Sequence, residues 1–278
     1  MSRVNQKVNQ NRRKRFKSID EFIIIEEIGK GGYSKVYLVE HKRTGRQYAL
    51  KAAFRYKNGD RSGKDRSHRT LMEAKVLKRL RHRNVVRLKG HFEDDDTIYL
   101  VLEYLPGKDC SKFFKNGIPS KEEVKNIMRQ LITAVMYCHS KGIVHRDIKL
   151  ENLLIDDEMN VKLTDFGLCA IKEDQYEMLE STLGTVRYTA PEMLAGNGYN
   201  ESVDVWAIGV ILFMLLTGSY PIDGSEKSKI FRRIKEKTIH YSKYNLERTE
   251  VKLLRKLLEK DPDKRLEIGE ILSDRFFQ

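Results

Sequence analysis

The sequence is poor in cysteine and lacks any long hydrophobic run. Its three cysteines, Cys110, Cys138 and Cys169, show no paired spacing. Disulfide frameworks and structural zinc sites need paired or clustered cysteines, so we expect a reduced intracellular protein with neither. The longest apolar run, Val205 to Leu216, is too short to span a bilayer, which takes about 20 apolar residues. It predicts a buried core helix, and we expect no membrane attachment.

Acidic residues are absent from the first 17 positions, whereas seven of the chain's 53 lysines and arginines lie there. Because this stretch is also rich in asparagine and glutamine, residues 1–21 are predicted to form a disordered basic arm. The run Arg12 to Arg15 fits a nuclear import signal, an attachment to an acidic partner, or a solvated tail without a specific role. Binding of nucleic acid, which would depend steeply on salt, is the less favoured alternative. We expect the nucleus or the cytoplasm as the location.

The pattern of apolar residues predicts a β-rich region followed by a helical one. Short β-forming runs between glycine-containing turns predict strands at 23–25, 36–39, 48–50, 85–88 and 97–102. Helical spacing of apolar residues predicts helices over 71–80, 121–139, 203–217, 227–237 and 250–259. The expected fold class is therefore α+β, with a small β-rich lobe that has one main helix and a larger helical lobe.

Three short motifs follow one another in the second half of the chain. His145-Arg146-Asp147 is followed by Asn152, then by Asp165-Phe166-Gly167 and by Ala190-Pro191-Glu192. Together they offer a carboxylate that can accept a proton and two oxygen-bearing side chains of the kind that Mg²⁺ prefers. Any one of these tripeptides is a weak indication, whereas the ordered set rarely arises by chance.

From about Phe22 to its carboxyl terminus, the chain resembles the eukaryotic-type protein kinases. The resemblance implies a bilobal fold over residues 22–278, with an N-lobe at about 22–102, a hinge at 103–107 and a C-lobe at about 108–278. It also implies ATP in the cleft between the lobes. The domain is similar to the calmodulin-dependent, AMP-activated-type, Aurora and polo-like groups, and its short basic arm suggests a cell-cycle or checkpoint role.

The same resemblance implies the catalytic roles. Asp147 would orient the substrate hydroxyl and accept its proton, while Lys149 would neutralise charge on the γ-phosphoryl group. Asn152 and Asp165 would bind Mg²⁺. The lysine at position 149 is the form found in serine/threonine kinases. A catalytically weak pseudokinase that acts as a scaffold is the alternative, although every catalytic residue is present.

The resemblance further implies an ATP-binding surface. The glycine-rich loop would lie over the phosphates and comprises Ile28, Gly29, Lys30, Gly31, Gly32, Tyr33, Ser34, Lys35 and Val36. Lys51 would grip the α- and β-phosphates and pair with Glu73. The adenosine would contact Ala49, Glu103, Leu105, Asp109 and Leu154.

Other matching positions are expected to maintain the fold. His145 and Phe166 align with an apolar stack, which makes this histidine a packing residue and not a base or a metal ligand. Asp204 would support the catalytic loop, and Arg265 would pair with Glu192, because buried charges need partners.

Regulation is expected in the segment between Asp165 and Glu192. Arg146 directly precedes Asp147, an arrangement that goes with control by phosphorylation because a phosphate can neutralise the arginine. Ser181 or Thr182 would be the site of an upstream activating kinase.

Two further acids suggest which protein substrates are preferred. Asp109 and Glu151 stand where the acids of basophilic kinases meet arginines, so we expect substrates with basic residues N-terminal to the target hydroxyl. Both acids could equally be solvated or bind ribose. Ser18, which follows Arg15-Phe16-Lys17, would fit that preference as an autophosphorylation site.

Overall fold

A computed structural model describes residues 16–56, 65, 67–115, 117–171, 186–195, 198–222, 224, 226–236 and 238–278. Contacts within the chain divide it into two compact units. The first unit takes in the chain up to Thr70 together with Leu88–Tyr104, and the second takes in Leu71–Arg87 and Leu105–Gln278. The predicted α+β class is confirmed, because the first unit is built on a sheet and the second is mainly helical. The predicted domain bounds remain a prediction.

The first unit contains a five-stranded antiparallel sheet of order β1-β2-β3-β5-β4. Its strands are β1 (Phe22–Lys30), β2 (Ser34–His41), β3 (Gln47–Phe54), β4 (Leu88–Glu93) and β5 (Thr97–Glu103). Side chains alternate between the two faces of a strand. One face carries Ala49 and Lys51, and the opposite face carries Tyr48, Leu50 and Ala52 in an apolar cluster.

Residues 16–21 correct the predicted disordered arm at its carboxyl end. Phe16 is 3% exposed, and its ring lies 5.4 Å from that of Phe22 and 5.6 Å from that of Tyr48. The turn that follows, Ile19–Glu21, is a 3-10 helix capped by reciprocal hydrogen bonds between Ser18 and Glu21. An aromatic ring that fits between other rings can hold a short polar segment in place. Residues 1–15 lie outside the described part of the chain.

The second unit is formed by helices and short strands. Its helices are α1 (Ser67–Arg79, whose first turn belongs to the first unit), α2 (Cys110–Phe113), α3 (Lys121–Ser140), α4 (Pro191–Ala195), α5 (Ser202–Thr217), α6 (Lys227–Glu236) and α7 (Arg248–Leu257). Its strands are β6 (Lys108–Asp109), β7 (Ile143–Val144), β8 (Leu153–Ile155), β9 (Val161–Leu163) and β10 (Ala170–Ile171). They pair as β6-β8-β9 and β10-β7.

Helix α5 forms the core of the second unit, as its apolar run predicts. Apolar residues cover it on all sides, and nearly all are buried. The helix ends at Gly218, whose φ of 68° suits a left-handed cap. In the described part of the chain, no helix combines the length and apolar character that a membrane span requires.

The predicted strand at 85–88 is wrong. Strand β4 begins at Leu88, whereas Val85 and Val86 are buried in the second unit. The Val86 amide donates to the Leu163 carbonyl at 2.9 Å, and the Leu163 amide donates to the Asn84 carbonyl at 2.9 Å. The burial of these valines comes from packing beside β9, and they are not part of the large sheet.

Candidate active site

Residues 145–152 of the second unit, the predicted catalytic segment, bring Asp147, Lys149 and Asn152 together. The Lys149 Nζ atom lies 2.6 Å from Asp147 Oδ2, and Asn152 Nδ2 donates to the same oxygen at 3.0 Å. The Asn152 amide also donates to the main-chain carbonyl of Asp147 at 2.8 Å. Asp147 is 9% exposed, so a carboxylate with little access to water is held by two donors.

The orientation of Asn152 fits a divalent cation. Its amide nitrogen is occupied by Asp147, which leaves Oδ1 as the metal-binding atom of the side chain. The Thr164 amide and hydroxyl both donate to the Asn152 carbonyl, at 2.9 and 3.0 Å, which fixes the segment that leads into Asp165. One amide and one carboxylate oxygen are a suitable pair for Mg²⁺, a cation usually held by few protein ligands and by phosphates. Elsewhere among the described residues, no group of three or more histidine, cysteine or carboxylate side chains forms a metal site.

Two backbone conformations in this site are unusual. Arg146 has a φ of 66° and Asp165 a φ of 58°, and only one other non-glycine residue in the described chain, Met159, has a positive φ. Such conformations cost about 1–3 kcal/mol each unless the surroundings hold them, and they concentrate at functional sites. Sequence patterns did not predict them, since arginine and aspartate give no strong signal for a left-handed backbone.

The buried carboxylate of Asp204 holds the first of these strained residues. It accepts hydrogen bonds from the amides of His145, at 2.9 Å, and Arg146, at 2.8 Å, and it lies 2.8 Å from His139 Nε2. Burial alone would raise the pKa of Asp204, but the hydrogen bonds and the nearby histidines hold that pKa below its usual value. The predicted support of the catalytic loop by Asp204 thus takes the form of two main-chain hydrogen bonds.

The guanidinium of Arg146 joins the catalytic segment to the residues after Asp165-Phe166-Gly167. It donates to the Leu168 carbonyl at 2.7 Å, the Cys169 carbonyl at 3.0 Å and the Tyr199 hydroxyl at 3.2 Å. The sequence predicts a phosphate as the partner of this arginine. In the structure, the guanidinium donates to three uncharged oxygen atoms, and the predicted phosphate would be a further acceptor. Ser181 and Thr182, the predicted phosphorylation sites, lie outside the described residues.

Two further predictions about the surroundings are confirmed. The rings of His145 and Phe166 meet edge to face with centroids 4.6 Å apart, and Phe166 is fully buried, so the histidine packs as expected. Arg265 and Glu192 form a two-pronged ion pair with distances of 2.6 and 2.9 Å. Both are buried, and Arg265 also lies over the ring of Trp206 at 5.3 Å. Paired geometry of this kind compensates for the loss of water around both charges.

The first unit carries most of the predicted phosphate-binding residues. Ile28, Gly29 and Lys30 end β1, residues 31–33 form the turn, and Ser34, Lys35 and Val36 begin β2. The turn is tight, because the Gly31 amide donates to the Ser34 carbonyl at 2.7 Å and a Cβ at Gly31 would lie 3.0 Å from Ser34 Oγ.

The next strands of the sheet carry three more of the predicted residues. Val36 stands opposite Lys51 on β3, Ala49 shares the face of Lys51, and Glu103 ends β5. The glycine-containing turn, Lys51 and Ala49 therefore lie in one region of the sheet.

The other predicted nucleotide contacts belong to the second unit. Leu105 lies just before β6, while Asp109 on β6 stands opposite Leu154 on β8. Glu73 is buried on α1, and its predicted partner Lys51 belongs to the first unit. The Lys51–Glu73 pair remains a prediction.

Asp109 has a structural role that the sequence reading missed. Its carboxylate caps α2 by accepting from the Lys112 amide at 3.0 Å, and it lies 2.9 Å from Lys112 Nζ. Burial opposes ionisation, but the bonds to Ser111 and Lys112 hold the pKa of Asp109 below its usual value. An aspartate that directly precedes a short helix is the signal that could have found this cap.

Comparisons with known proteins agree with this geometry. Residues 22–277 match the family model described as a protein kinase domain. CBL-interacting protein kinase 25 of Oryza sativa subsp. japonica is 37% identical over 261 residues, which cover 90% of this chain and 50% of that protein. CBL-interacting serine/threonine-protein kinase 8 of Arabidopsis thaliana is 35% identical over 263 residues, covering 94% of this chain and 58% of that protein.

A third relative, myosin light chain kinase A of Dictyostelium discoideum, is 38% identical over 215 residues, which cover 76% of this chain and 71% of that protein. The chain spans about half the length of the first two relatives. The family match covers nearly the whole of this chain and includes every motif described above. The chain therefore belongs to the eukaryotic serine/threonine protein kinase family and has its bilobal fold.

Proposed function

We propose that this chain is an active protein kinase that transfers the γ-phosphoryl group of ATP to serine or threonine hydroxyls of proteins. The observation that carries the proposal is the cluster of Asp147, Lys149 and Asn152, in which both donors bind one carboxylate oxygen. Bound Mg-ATP supplies the phosphoryl group and the positive charge that offsets its oxygens. The chain's own residues supply position and further charge.

Each of the three side chains has a distinct task in this proposal. Because Lys149 and Asn152 bind Oδ2 of Asp147, the other carboxylate oxygen is left to accept a hydrogen bond from the substrate hydroxyl and then its proton. The Lys149 ammonium lies beside that oxygen and can also bind the transferred phosphoryl group. Asn152 Oδ1 and the Asp165 carboxylate are the cation ligands that the site offers.

The test is phosphoryl transfer from labelled Mg-ATP to a serine-oriented peptide library, with wild type beside Asp147→Asn. The amide has the shape of the carboxylate but cannot accept the proton, so we expect kcat to fall by about 100-fold or more. Glu158→Gln, which removes an exposed carboxylate in the turn between β8 and β9, is the matched control and should keep full activity.

A pseudokinase scaffold is the outcome to be excluded. Equal transfer, or equal absence of transfer, by wild type and Asp147→Asn would reject the proposal, provided that Ser181 and Thr182 had first been exposed to an added kinase.

The library also tests the proposed preference for basic residues. Glu151 is exposed and available, whereas Asp109 is bound to Lys112, so we propose that Glu151 contributes more to selecting an arginine.

Regulation and location are proposed on the sequence alone. We propose that an upstream kinase phosphorylates Ser181 or Thr182, and that the basic run Arg12 to Arg15 directs the protein to the nucleus. Arg146 donates three hydrogen bonds, two of them to residues 168 and 169, which precede the proposed phosphorylation site in sequence. These bonds support the proposal that phosphorylation there affects the order of the segment that contains Asp147. A cell-cycle or checkpoint role remains a prediction.

A further inference from the structure

The hydroxyl of Ser18 both donates and accepts a hydrogen bond in the capped turn ahead of the large sheet. Its Oγ atom accepts from the Asp20 amide at 3.1 Å and donates its proton to Asp20 Oδ2 at 2.9 Å. The main-chain carbonyl of Ser18 accepts from the Glu21 amide at 3.3 Å. The turn Ile19–Glu21 therefore depends on a small, uncharged group at position 18 that can act as donor and acceptor at once.

The same turn holds the link to the buried ring of Phe16. Glu21 Oε1 accepts from the amide of Lys17 at 2.6 Å and from that of Ser18 at 3.2 Å. Burial opposes the ionisation of Glu21, but these hydrogen bonds hold its pKa below the usual value. The two residues that join Phe16 to the turn are thus bound to the carboxylate at its end. A change that opens the turn would also loosen the position of the ring.

A phosphate on Ser18 would replace an attractive contact by a repulsive one. The phosphoester has no proton to donate to Asp20, and it places a charge of about −1.5 to −2 beside that carboxylate. Glu21 adds a second carboxylate to the same turn, while the adjacent Lys17 is exposed, and an exposed ion pair contributes little. The dipole of a long helix favours a phosphate at its start, but this turn has only three residues. Repulsion therefore outweighs capping, and the turn opens.

The residues ahead of Ser18 carry the charge that a basophilic kinase selects. Arg15 stands three positions before Ser18 and ends the basic run that starts at Arg12. This run lies outside the described residues, so its sequence alone enters here. Guanidinium groups pair with carboxylates, and Glu151 is the carboxylate proposed to select arginine in substrates of this chain. The chain is therefore one source of the phosphate, and another basophilic kinase is the second.

The docked segment has to open before Ser18 can react. A substrate hydroxyl must come within hydrogen-bond reach of a catalytic carboxylate, whereas this hydroxyl is bound to Asp20 and the nearby Phe16 is buried. Local opening of a short segment costs less than unfolding of the whole protein. A phosphate added in the open state then opposes the return of the segment to the sheet.

We propose that Ser18 is a phosphorylation site and that a phosphate there releases residues 16–21 from the large sheet. The ring of Phe16 leaves those of Phe22 and Tyr48, and the apolar face that it covered becomes accessible. The reaction forms a bond between Ser18 Oγ and the γ-phosphorus of ATP, breaks the bond from that phosphorus to the β–γ bridging oxygen, and releases ADP and the hydroxyl proton. Only the assignment of this chain as its own kinase rests on the proposed function.

The first experiment compares serine with phosphoserine at position 18, the phosphoserine being inserted during translation of the full chain. Both proteins carry Asp147→Asn, which suppresses modification of the chain by itself. Hydrogen exchange of the Asp20 and Glu21 amides reports on the turn. We expect exchange to be about tenfold faster or more with phosphoserine, the effect of one lost charge-assisted hydrogen bond. Equal or slower exchange would overturn the proposal, because the phosphate would then leave the turn intact or cap it.

Two controls make this result specific. Phosphoserine at position 242, an exposed position in the three-residue turn Tyr241–Lys243, should leave the exchange of the Asp20 and Glu21 amides unchanged. Asp20→Asn removes one of the two carboxylates beside the phosphate, so the ratio of exchange rates with and without phosphate at position 18 should fall. An equal effect from position 242, or an unchanged ratio in Asp20→Asn, would contradict the repulsion on which the proposal depends.

A second experiment tests whether the docked ring protects Ser18. A Cβ at Gly90 would come within 2.7 Å of the Phe16 ring, so Gly90→Ala should favour the open segment. An added kinase that selects arginine three residues before its target should then phosphorylate Ser18 about fivefold faster or more, again in the Asp147→Asn background. Gly269→Ala is the control, because a Cβ there meets nothing within 4 Å. Equal rates in both variants, or no phosphate at Ser18 in either, would overturn the proposal.

A third comparison identifies the source of the phosphate. Wild type and Asp147→Asn are each incubated with Mg-ATP alone, and phosphate at Ser18 is located by mass spectrometry. Phosphate in wild type only assigns the reaction to this chain, whereas phosphate in neither assigns it to the added kinase of the second experiment. Arg15→Ala should slow the reaction with either source, and an unchanged rate would contradict recognition of the basic run. Because the first two experiments use Asp147→Asn, a failure of the proposed kinase function leaves their results intact.

Discussion

At the scale of single residues, one carboxylate holds the backbone of the predicted catalytic segment. Asp204 binds two successive amides, including that of Arg146, whose backbone is left-handed. A carboxylate accepts both bonds, whereas an amide in its place would turn a donor toward one of them. Without Asp204, the strained residue beside Asp147 would lose the contacts that hold it.

The stability that Asp204 adds should depend on pH in a defined direction. A carboxylate whose pKa is lowered by folding contributes stability above its unfolded pKa, with a usual value of 3.8, and loses it as the pH falls through the lower folded value. We expect Asp204→Asn to be less stable than wild type by about 2 kcal/mol or more at pH 7. The difference should shrink below a pH of about 4.

Denaturant unfolding of both proteins between pH 3 and pH 7 checks this prediction. Glu158→Gln serves as the control, and its difference from wild type should stay near zero throughout. A stability difference between wild type and Asp204→Asn that is the same at every pH would mean that the ionised carboxylate is not what matters.

At the scale of elements, a short segment completes the apolar face of the large sheet. Phe16 packs on the cluster of the first unit, and Gly90 on β4 lies beneath it, so that a Cβ at position 90 would come within 2.7 Å of Phe16 Cδ2. The two residues are far apart in sequence but share one space. Their energetic effects should therefore depend on each other.

A double-mutant cycle tests this dependence. Phe16→Ala should cost about 3–5 kcal/mol of stability, the usual loss for a buried phenylalanine. Gly90→Ala alone should cost about 1–3 kcal/mol through overpacking. In the Phe16→Ala background it should cost much less, because the ring that it would strike is gone. Additive losses in denaturant unfolding would contradict the contact, and Lys17→Ala is the exposed neighbouring control.

The sequence predicted elements and motifs better than it predicted their edges. The strands at 36–39 and 48–50 and the buried helix α5 were found because alternation and a long apolar run leave few alternatives. The valines at 85 and 86 were assigned to a strand because apolar character shows burial but not which neighbour provides it. Phe16 was missed for a different reason, since a single aromatic residue in a basic stretch carries no periodic signal.

At the scale of the whole molecule, the charge is concentrated at one end of the chain. The formal net charge is +13, and residues 1–15 contribute six of the positive charges and no acid. The described part of the chain begins immediately afterwards, at the buried Phe16. A truncation at this point therefore removes the basic segment and keeps every residue that the structure describes.

Two truncations place that boundary. Removal of residues 1–15 should leave the melting temperature and kcat unchanged, while the formal net charge falls to +7 and binding to a cation-exchange resin weakens. Removal of residues 1–21 also deletes Phe16 and its capped turn, and the melting temperature should then fall by several degrees. Thermal unfolding of both proteins checks the prediction. Equal melting temperatures would mean that residues 16–21 add no stability, in conflict with the packing of Phe16.

The hydrogen bonds of Arg146 have a consequence for how this protein can change during evolution. The arginine binds main-chain carbonyl oxygens of residues 168 and 169, and every amino acid has such an oxygen at those positions. These hydrogen bonds between Arg146 and residues 168 and 169 therefore do not depend on which side chains follow Gly167. Mutations at positions 168 and 169 can therefore alter the proposed nucleotide-binding surroundings, or replace the thiol at position 169, while Arg146 keeps both hydrogen bonds. We expect these two positions to tolerate substitution.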